Sequence, residues 1–193
     1  AIIVFDPKDI EHAHLLCNLI HQYSGYDVAE YTEKMFIDNA KYLSSKNKII
    51  FLGKTKSSKE RWLDIHKYIY YKHGMRYGWS GNHAFIYAKP LKRSEVEAFK
   101  EEYNQKSQEF EDKSKDYVEN ESIIPAIAAG MAVWWFGLPI LTLPTLMVDA
   151  ALYTTVAGMN NRANMMKSLL EYQYQLLLRE FVFNDFEKFM EEV

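Results

Sequence analysis

The hydrophobic positions in the first ninety residues form short runs separated by segments of helical spacing. Four apolar or alternating runs are typical of strands, and they cover residues 2–6, 26–32, 48–53 and 83–88. The intervening segments predict helices over about 10–23, 33–44 and 58–73. Strands that alternate with single helices predict crossover connections and a mostly parallel sheet. We therefore expect residues 1–90 to form a small α/β domain with helices flanking the sheet.

The remaining residues, 91–193, predict a helical module that begins with a charged helix over 91–121. A thin apolar stripe runs along this helix at steps of three, four and seven residues, formed by Val96, Phe99, Tyr103, Phe110 and Tyr117. A stripe of this width suits packing along one partner helix. The partner we expect is an amphipathic helix over 160–193, whose apolar face comprises Leu169, Tyr172, Leu176, Leu177, Phe181 and Phe189.

Between these two helices, residues 122–159 are almost free of charge, and Asp149 is the only charged side chain between residues 123 and 161. The first part, 123–141, is long enough to span a bilayer. Pro139 and Pro144 indicate a turn before a second, weaker apolar segment, so the pattern predicts a helical hairpin that embeds in a membrane. The alternative is a hairpin buried in a soluble core or between the subunits of a homo-oligomer.

Composition excludes several functional classes. The net charge of -3 and the pI of about 6.1 show no basic excess, so we expect no nucleic-acid partner. Cys17 is the only cysteine and cannot form an intrachain disulfide, which fits a reducing compartment. The six histidines lack the spacing of a metal site, and we expect no metal. The first residues lack the basic and apolar regions of a signal peptide. We expect the cytoplasmic face of a membrane or, if the hairpin is buried, the soluble cytoplasm.

The third apolar run ends in IIFLGKTKSS, which raises the question of a phosphate-binding loop. That loop requires a second glycine five positions before Gly53, but Lys48 occupies the position. The Gly-Lys-Thr also follows the strand directly and leaves no room for the loop. The sequence therefore argues against a nucleotide hydrolase of this type, and Gly53 is typical of a turn.

The loops after the first and third strands are nevertheless expected to meet, because the carboxyl ends of parallel strands share one edge of a sheet. The candidate binding residues there are Asp6, Asp9, Lys54, Ser57 and Ser58. A helix N-terminus with serine and lysine side chains suits a small anionic ligand, such as a nucleotide. The alternative is structural: Ser58 caps the helix and the lysines are solvated.

Residues 74–88 combine three glycines with several aromatic residues. One interpretation is a loop over the same edge, in which Trp79 stacks on a planar ligand. The other, which we favour, is a β-hairpin with packed aromatic side chains.

The order of IIVFDPKD, a helix, YDVAEYT, a helix and IIFLGKTKSSKERW resembles Toll/interleukin-1-receptor-like (TIR-like) domains and their flavodoxin-like relatives. The resemblance covers about residues 1–90. It implies an acidic first loop, matched by Asp6 and Asp9, and a helix after the third strand carrying a glutamate, matched by Glu60. In the members that cleave NAD this glutamate is catalytic, so the resemblance implies NAD or another nucleotide as ligand.

Three functions follow as expectations. The first is a membrane-associated sensor or effector, of the kind used in bacterial stress responses or phage defence, whose α/β domain binds a small anionic ligand or a partner and controls the hairpin. The second is an enzyme that cleaves NAD through Glu60. The third is a soluble protein-interaction module.

Overall fold

The computed structural model describes residues 1–58, 69–120 and 159–192 and divides the chain into two compact units. The first unit comprises Ala1–Lys89 together with Gln173–Val193, and the second comprises Pro90–Tyr172. The second unit begins at Pro90, next to the boundary expected after residue 90, and the last twenty-one residues belong with the first unit. The apolar hairpin predicted over 122–159 lies, except for its last residue, outside the described residues. Among the described helices, none combines the length and apolarity needed to cross a bilayer.

The first unit is built on a mixed sheet, which confirms the α/β class. Its strands are β1 (Ile2–Phe5), β2 (Ala29–Thr32), β3 (Ile49–Leu52), β4 (Tyr70–Lys72), β5 (Met75–Ser80) and β6 (His83–Ala88). The spatial order is β2-β1-β3-β6-β5-β4. The first four strands in this order run parallel, and β5 is antiparallel to both β6 and β4. The four strands predicted from the sequence are therefore confirmed.

Strands β4 and β5 form a hairpin, so the predicted helix over 58–73 is wrong at its carboxyl end. The hairpin interpretation of residues 74–88 is confirmed by β5 and β6, which pair antiparallel. The β4–β5 hairpin is an additional one. His73 and Gly74 form the two-residue turn, and both have positive φ, 48° and 70°. Such turns match the right-handed twist of paired strands. The aromatic residues Tyr70 and Tyr71 also favour strand over helix, because they fit a pleated surface.

Two helices connect the parallel strands. Helix α1 (Ile10–Ser24) follows β1 and ends at Gly25, whose φ is 69° and whose N–H donates to the carbonyl of His21. Helix α2 (Glu33–Lys46) follows β2, and the Thr32 hydroxyl accepts a hydrogen bond from the N–H of Met35 at its start. Helix α2 packs on one face of the sheet through a buried cluster formed by Ile2, Val4, Phe36, Leu43, Ile49, Phe51 and Phe85.

The C-terminal helices complete the core of the first unit. Helix α4 (Met159–Asn184) contributes its part from Gln173 onward, and helix α5 (Phe186–Glu191) follows it. Phe181, Phe186 and Phe189 have no exposed surface. The ring of Phe181 lies 5.3 Å from that of Tyr77 and 6.5 Å from that of Trp79, both on β5. The predicted apolar face of this segment is therefore confirmed, and it covers the β-hairpin.

The second unit contains helix α3 (Val96–Asn120) and the first part of α4. Val96, Phe99, Tyr103 and Phe110 are buried, which confirms this part of the predicted stripe. The rings of Tyr103 and Tyr172 meet edge to face with centroids 5.3 Å apart. The charged helix thus uses its aromatic stripe to contact α4.

Candidate functional site at the carboxyl edge of strands β1 and β3

The chain order of the strands creates a switch point between β1 and β3. From β1 the chain passes through α1 to β2 on one side, and from β2 it returns through α2 to β3 on the other side. The connections after β1 and β3 therefore leave in opposite directions. In open parallel sheets, ligands bind in the crevice at such a point, beyond the carboxyl ends of the strands.

The loop after β1 brings two carboxylates to this edge. Asp6 caps a short 3-10 turn, Pro7–Asp9, by accepting a hydrogen bond from the N–H of Lys8 at 3.2 Å. Asp9 stands at the N-cap position of α1, but its side chain makes no capping hydrogen bond. Asp9 is only 8% exposed, and its Oδ2 atom has no hydrogen-bond partner. The side chain of Asp6 thus caps the 3-10 turn, whereas that of Asp9 does not cap α1.

Gly53 at the end of β3 lies directly against this carboxylate. A Cβ atom at position 53 would lie 2.6 Å from Asp9 Oδ2 and 3.8 Å from the hydroxyl oxygen of Tyr174. Gly53 also has a φ of 75°, a conformation that favours glycine. The glycine of the Gly-Lys-Thr sequence therefore lets the backbone approach Asp9 rather than a phosphate.

Two aromatic rings border the same place. His12, in the first turn of α1, stacks on Tyr174 of α4 with ring centroids 4.4 Å apart and an interplanar angle of 23°. His12 Nδ1 is 3.7 Å from Asp9 Oδ1. Asp9, His12, Gly53 and Tyr174 thus form one cluster, which we call the edge cluster. All four belong to the first unit.

The loop after β3 uses its own polar groups internally. Ser58 and Thr55 cap the helix that begins at residue 56. The Ser58 hydroxyl donates to the Thr55 carbonyl at 2.8 Å and accepts from the Thr55 N–H at 3.1 Å, while the Thr55 hydroxyl accepts from the Ser58 N–H at 3.0 Å. Both side chains are buried. This favours the structural interpretation of Ser58, whose hydroxyl has no exposed face for a ligand.

The helix N-terminus proposed as an anion site already receives a carboxylate from this chain. Glu33, in the first turn of α2, accepts a hydrogen bond from the N–H of Ser57 at 2.7 Å. A carboxylate is favourable at this position, because the helix dipole attracts negative charge and the N–H of Ser57 gains an acceptor. Lys54 on this loop and Lys8 on the loop after β1 are exposed. Lys56, two residues after Lys54, is exposed as well, so an anionic ligand can reach cationic groups from both loops.

The structure does not bring Trp79 to this edge. Trp79 on β5 pairs with Ala84, near the start of β6, so it lies toward the amino ends of the parallel strands. Its ring contacts Phe181 and Phe189. Its predicted position at the binding edge is therefore wrong, because an antiparallel strand carries its last residues to the opposite end of the sheet. Glu60 lies outside the described residues, and its catalytic role stays a prediction.

The members of the edge cluster differ in how far local sequence patterns indicate them. Asp9 and His12 are three residues apart on a helix and can be paired from spacing alone. Gly53 was visible only as a turn residue. Tyr174 is more than a hundred residues away in sequence, and no local pattern marks it. No local pattern marks Glu33 either, because its contact with Ser57 joins the connection after β2 to the connection after β3.

The surroundings of Cys17 disfavour its reactive thiolate form. Burial raises the pKa of the Cys17 thiol, and the neighbouring Glu30 carboxylate raises it further. The thiol donates to the carbonyl of Val28 at 3.3 Å. A thiol held in its neutral form is a poor nucleophile. Within the described ranges, no group of histidine, cysteine and acidic side chains has the arrangement of a metal site.

Comparison of the chain with protein-family models, with curated proteins and with solved structures gave no match. The resemblance to TIR-like domains stays a prediction. The functional argument therefore depends on the edge cluster itself.

Proposed function

We propose that this protein is a membrane-associated sensor or effector, in which a small ligand bound at the carboxyl edge of β1 and β3 controls the apolar segment 122–158. The observation that carries the proposal is the position of Tyr174. This residue belongs to the edge cluster, and it lies on the helix that directly follows the apolar segment in sequence.

The chain itself connects the edge cluster to the apolar segment, because Tyr174 lies on helix α4 and the segment directly precedes this helix in sequence. Helix α4 begins at Met159 and continues without interruption to Asn184. A ligand that changes the contact between His12 and Tyr174 therefore acts on helix α4, which begins where the apolar segment ends in sequence. A helix transmits such a displacement because its hydrogen bonds keep successive turns in register. Ligand binding can shift the protein between two arrangements only if it contacts them differently, and we expect that difference at Tyr174.

The experiment is flotation of the full chain with lipid vesicles. Its matched control is a variant in which residues 122–158 are replaced by a Gly/Ser linker of equal length, which keeps all the described core residues. We expect the full chain to float with the vesicles and to resist carbonate extraction, and the replacement variant to remain in the aqueous fraction.

Two results would contradict the proposal. If the full chain stays in the aqueous fraction as a defined oligomer, the apolar segment is an interface between subunits. If the replacement variant also floats, the membrane contact lies elsewhere in the chain.

A further inference from the structure

Helix α2 presents large apolar side chains to solvent on the side that faces away from the sheet. Phe36 and Leu43, seven residues apart, belong to the buried cluster on the sheet. Met35, Ile37 and Tyr42 are 51%, 54% and 62% exposed. Met35 and Tyr42 are also seven residues apart, so they lie on one side of the helix, about 10 Å from each other along its axis. They form an exposed apolar pair that the sheet does not cover.

Two exposed charges of opposite sign accompany this apolar pair. Asp38 lies one turn after Met35, and Lys41 directly precedes Tyr42. Among the ion pairs of the described residues, none involves Asp38 or Lys41. An acid followed by a base along one helix is matched in charge by the same helix running in the opposite direction. This surface is therefore complementary to a second copy of itself.

A two-fold axis brings the complementary groups together. If the axis crosses α2 at a right angle, midway between Met35 and Tyr42, Met35 of each copy lies opposite Tyr42 of the other. Methionine sulfur and an aromatic ring attract each other. Lys41 of the second copy then lies about 3 Å along the helix axis from Asp38, within reach of its carboxylate. Each contact occurs twice in such a dimer. A parallel pair would instead bring Asp38 to Asp38 and Lys41 to Lys41.

We propose that α2 is a homodimerisation surface, in which Met35 packs on Tyr42 of the second copy and Asp38 pairs with Lys41 of the second copy. A single pair of helices is a smaller contact than the ~800 Å² per subunit of a standard interface. The dimer is therefore weak in dilute solution and forms more readily where chains are concentrated, as on a membrane. This surface is separate from the edge cluster, and the inference goes beyond the proposed function.

The test is sedimentation equilibrium of the full chain in detergent micelles over a wide range of protein concentration. We expect an equilibrium between monomer and dimer. Asp38→Lys and Lys41→Asp are each expected to raise the dissociation constant about tenfold, because two attractive contacts per dimer become repulsive. The double variant that carries both substitutions is expected to restore the affinity, because the two charges are only exchanged.

Two further variants separate this surface from general effects of charge and folding. Glu101→Lys reverses an exposed acid on α3 and changes the net charge as Asp38→Lys does, and we expect it to leave the dissociation constant unchanged. Tyr42→Ser removes the ring and is expected to weaken the dimer at least about tenfold. Because Asp38, Lys41 and Tyr42 are exposed, the thermal unfolding midpoint of each variant is expected to stay close to that of the unaltered chain.

The outcomes are distinct. A monomer at every concentration, or a dissociation constant that responds equally to Asp38→Lys and Glu101→Lys, would overturn the assignment of α2 as the interface. A double variant that remains as weak as the single ones would overturn the antiparallel pairing of Asp38 with Lys41. Neither result affects the vesicle experiment, because α2 lies outside the apolar segment, so failure of this inference is distinguishable from failure of the proposed function.

Discussion

At the scale of single residues, the sequence and the structure indicate different reasons for the glycine at position 53. The sequence marks a turn after a strand, and the structure adds a carboxylate that occupies the space of a side chain. The residue therefore has two reasons to be glycine, its positive φ and its contact with Asp9.

These two reasons can be separated by substitution. Gly53→Ala is expected to destabilise the fold by about 1 kcal/mol for its φ of 75° and by about 1–3 kcal/mol more for the contact with Asp9. Gly25→Ala is the matched control, since Gly25 has a φ of 69° and open space at its Cβ position. Urea unfolding of both variants measures the difference. Equal losses would show that the carboxylate moves aside without cost.

The buried hydroxyl of Tyr77 gives a prediction about pH. It donates a hydrogen bond to Asp185 Oδ2, and Lys188 Nζ lies 2.8 Å from the other oxygen of that carboxylate. Burial and the hydrogen bond to Asp185 raise the pKa of Tyr77 above its ordinary value near 10. The unfolded chain then loses this proton before the folded one does.

The stability contributed by Tyr77 is therefore fully present below about pH 10 and falls above it, by up to about 1.4 kcal/mol per pH unit. We expect Tyr77→Phe to unfold more easily at pH 7 and to show a shallower decline between pH 9.5 and 11. Urea unfolding of both proteins across this range measures the two slopes. Parallel curves would assign the alkaline decline to other groups.

At the scale of elements, Gln173 joins helix α4 to the sheet through two side-chain hydrogen bonds. Its Nε2 donates to the carbonyls of His73 and Lys89, each at 2.8 Å. The first carbonyl belongs to the β4–β5 turn, and the second follows β6. The side chain is fully buried, and Tyr174 of the edge cluster is the next residue. Gln173 thus sets the position of Tyr174 along the sheet.

Gln173→Met keeps the length of the side chain and removes both donors. We expect a loss of about 1–3 kcal/mol, because two carbonyls lose their partner. We also expect faster amide exchange in β4, β5 and β6 than in β1 and β3, because the two carbonyls bound by Gln173 lie in the β4–β5 turn and directly after β6. The exposed Gln105 on α3 provides the control, Gln105→Met. A uniform increase of exchange across the sheet would show that Gln173 supports the whole core instead.

The elements also show how far sequence patterns reach. The four strands of the parallel part were predictable because each is a continuous apolar or alternating run ending at a turn residue. Strand β4 was not predictable, because its short run of aromatic and charged residues acquires strand geometry from pairing with β5 and from the His73–Gly74 turn. Pairing partners contribute more to a three-residue strand than its own propensity does.

At the scale of the whole molecule, the C-terminal residues belong to the same unit as the N-terminal ones. Residues Ala1–Lys89 share their core with Gln173–Val193, so the N-terminal α/β segment is incomplete by itself. Three phenylalanines from the C-terminal helices have no exposed surface, and burying one such side chain contributes about 1.5–3 kcal/mol.

A chain that ends after Asn120 is therefore expected to lose cooperative unfolding and to aggregate, whether or not a membrane is present. The variant with residues 122–158 replaced by a linker of equal length is expected to retain a cooperative thermal transition. Circular dichroism and light scattering of the two proteins make the comparison. A truncated chain with an unchanged transition would show that the first eighty-nine residues fold independently. This is also the reason why the vesicle experiment uses the replacement and not the truncation.

The sequence by itself determined the α/β class, four strands, two helices between them and the apolar stripes of the later helices. These features depend on residues close together in the chain, where apolar spacing and turn residues act locally. Only the tertiary structure decided that Trp79 lies at the opposite end of the sheet, that Glu33 occupies the helix N-terminus, and that Tyr174 joins Asp9, His12 and Gly53. These features depend on strand direction and on contacts between distant segments, and local patterns carry no information about either.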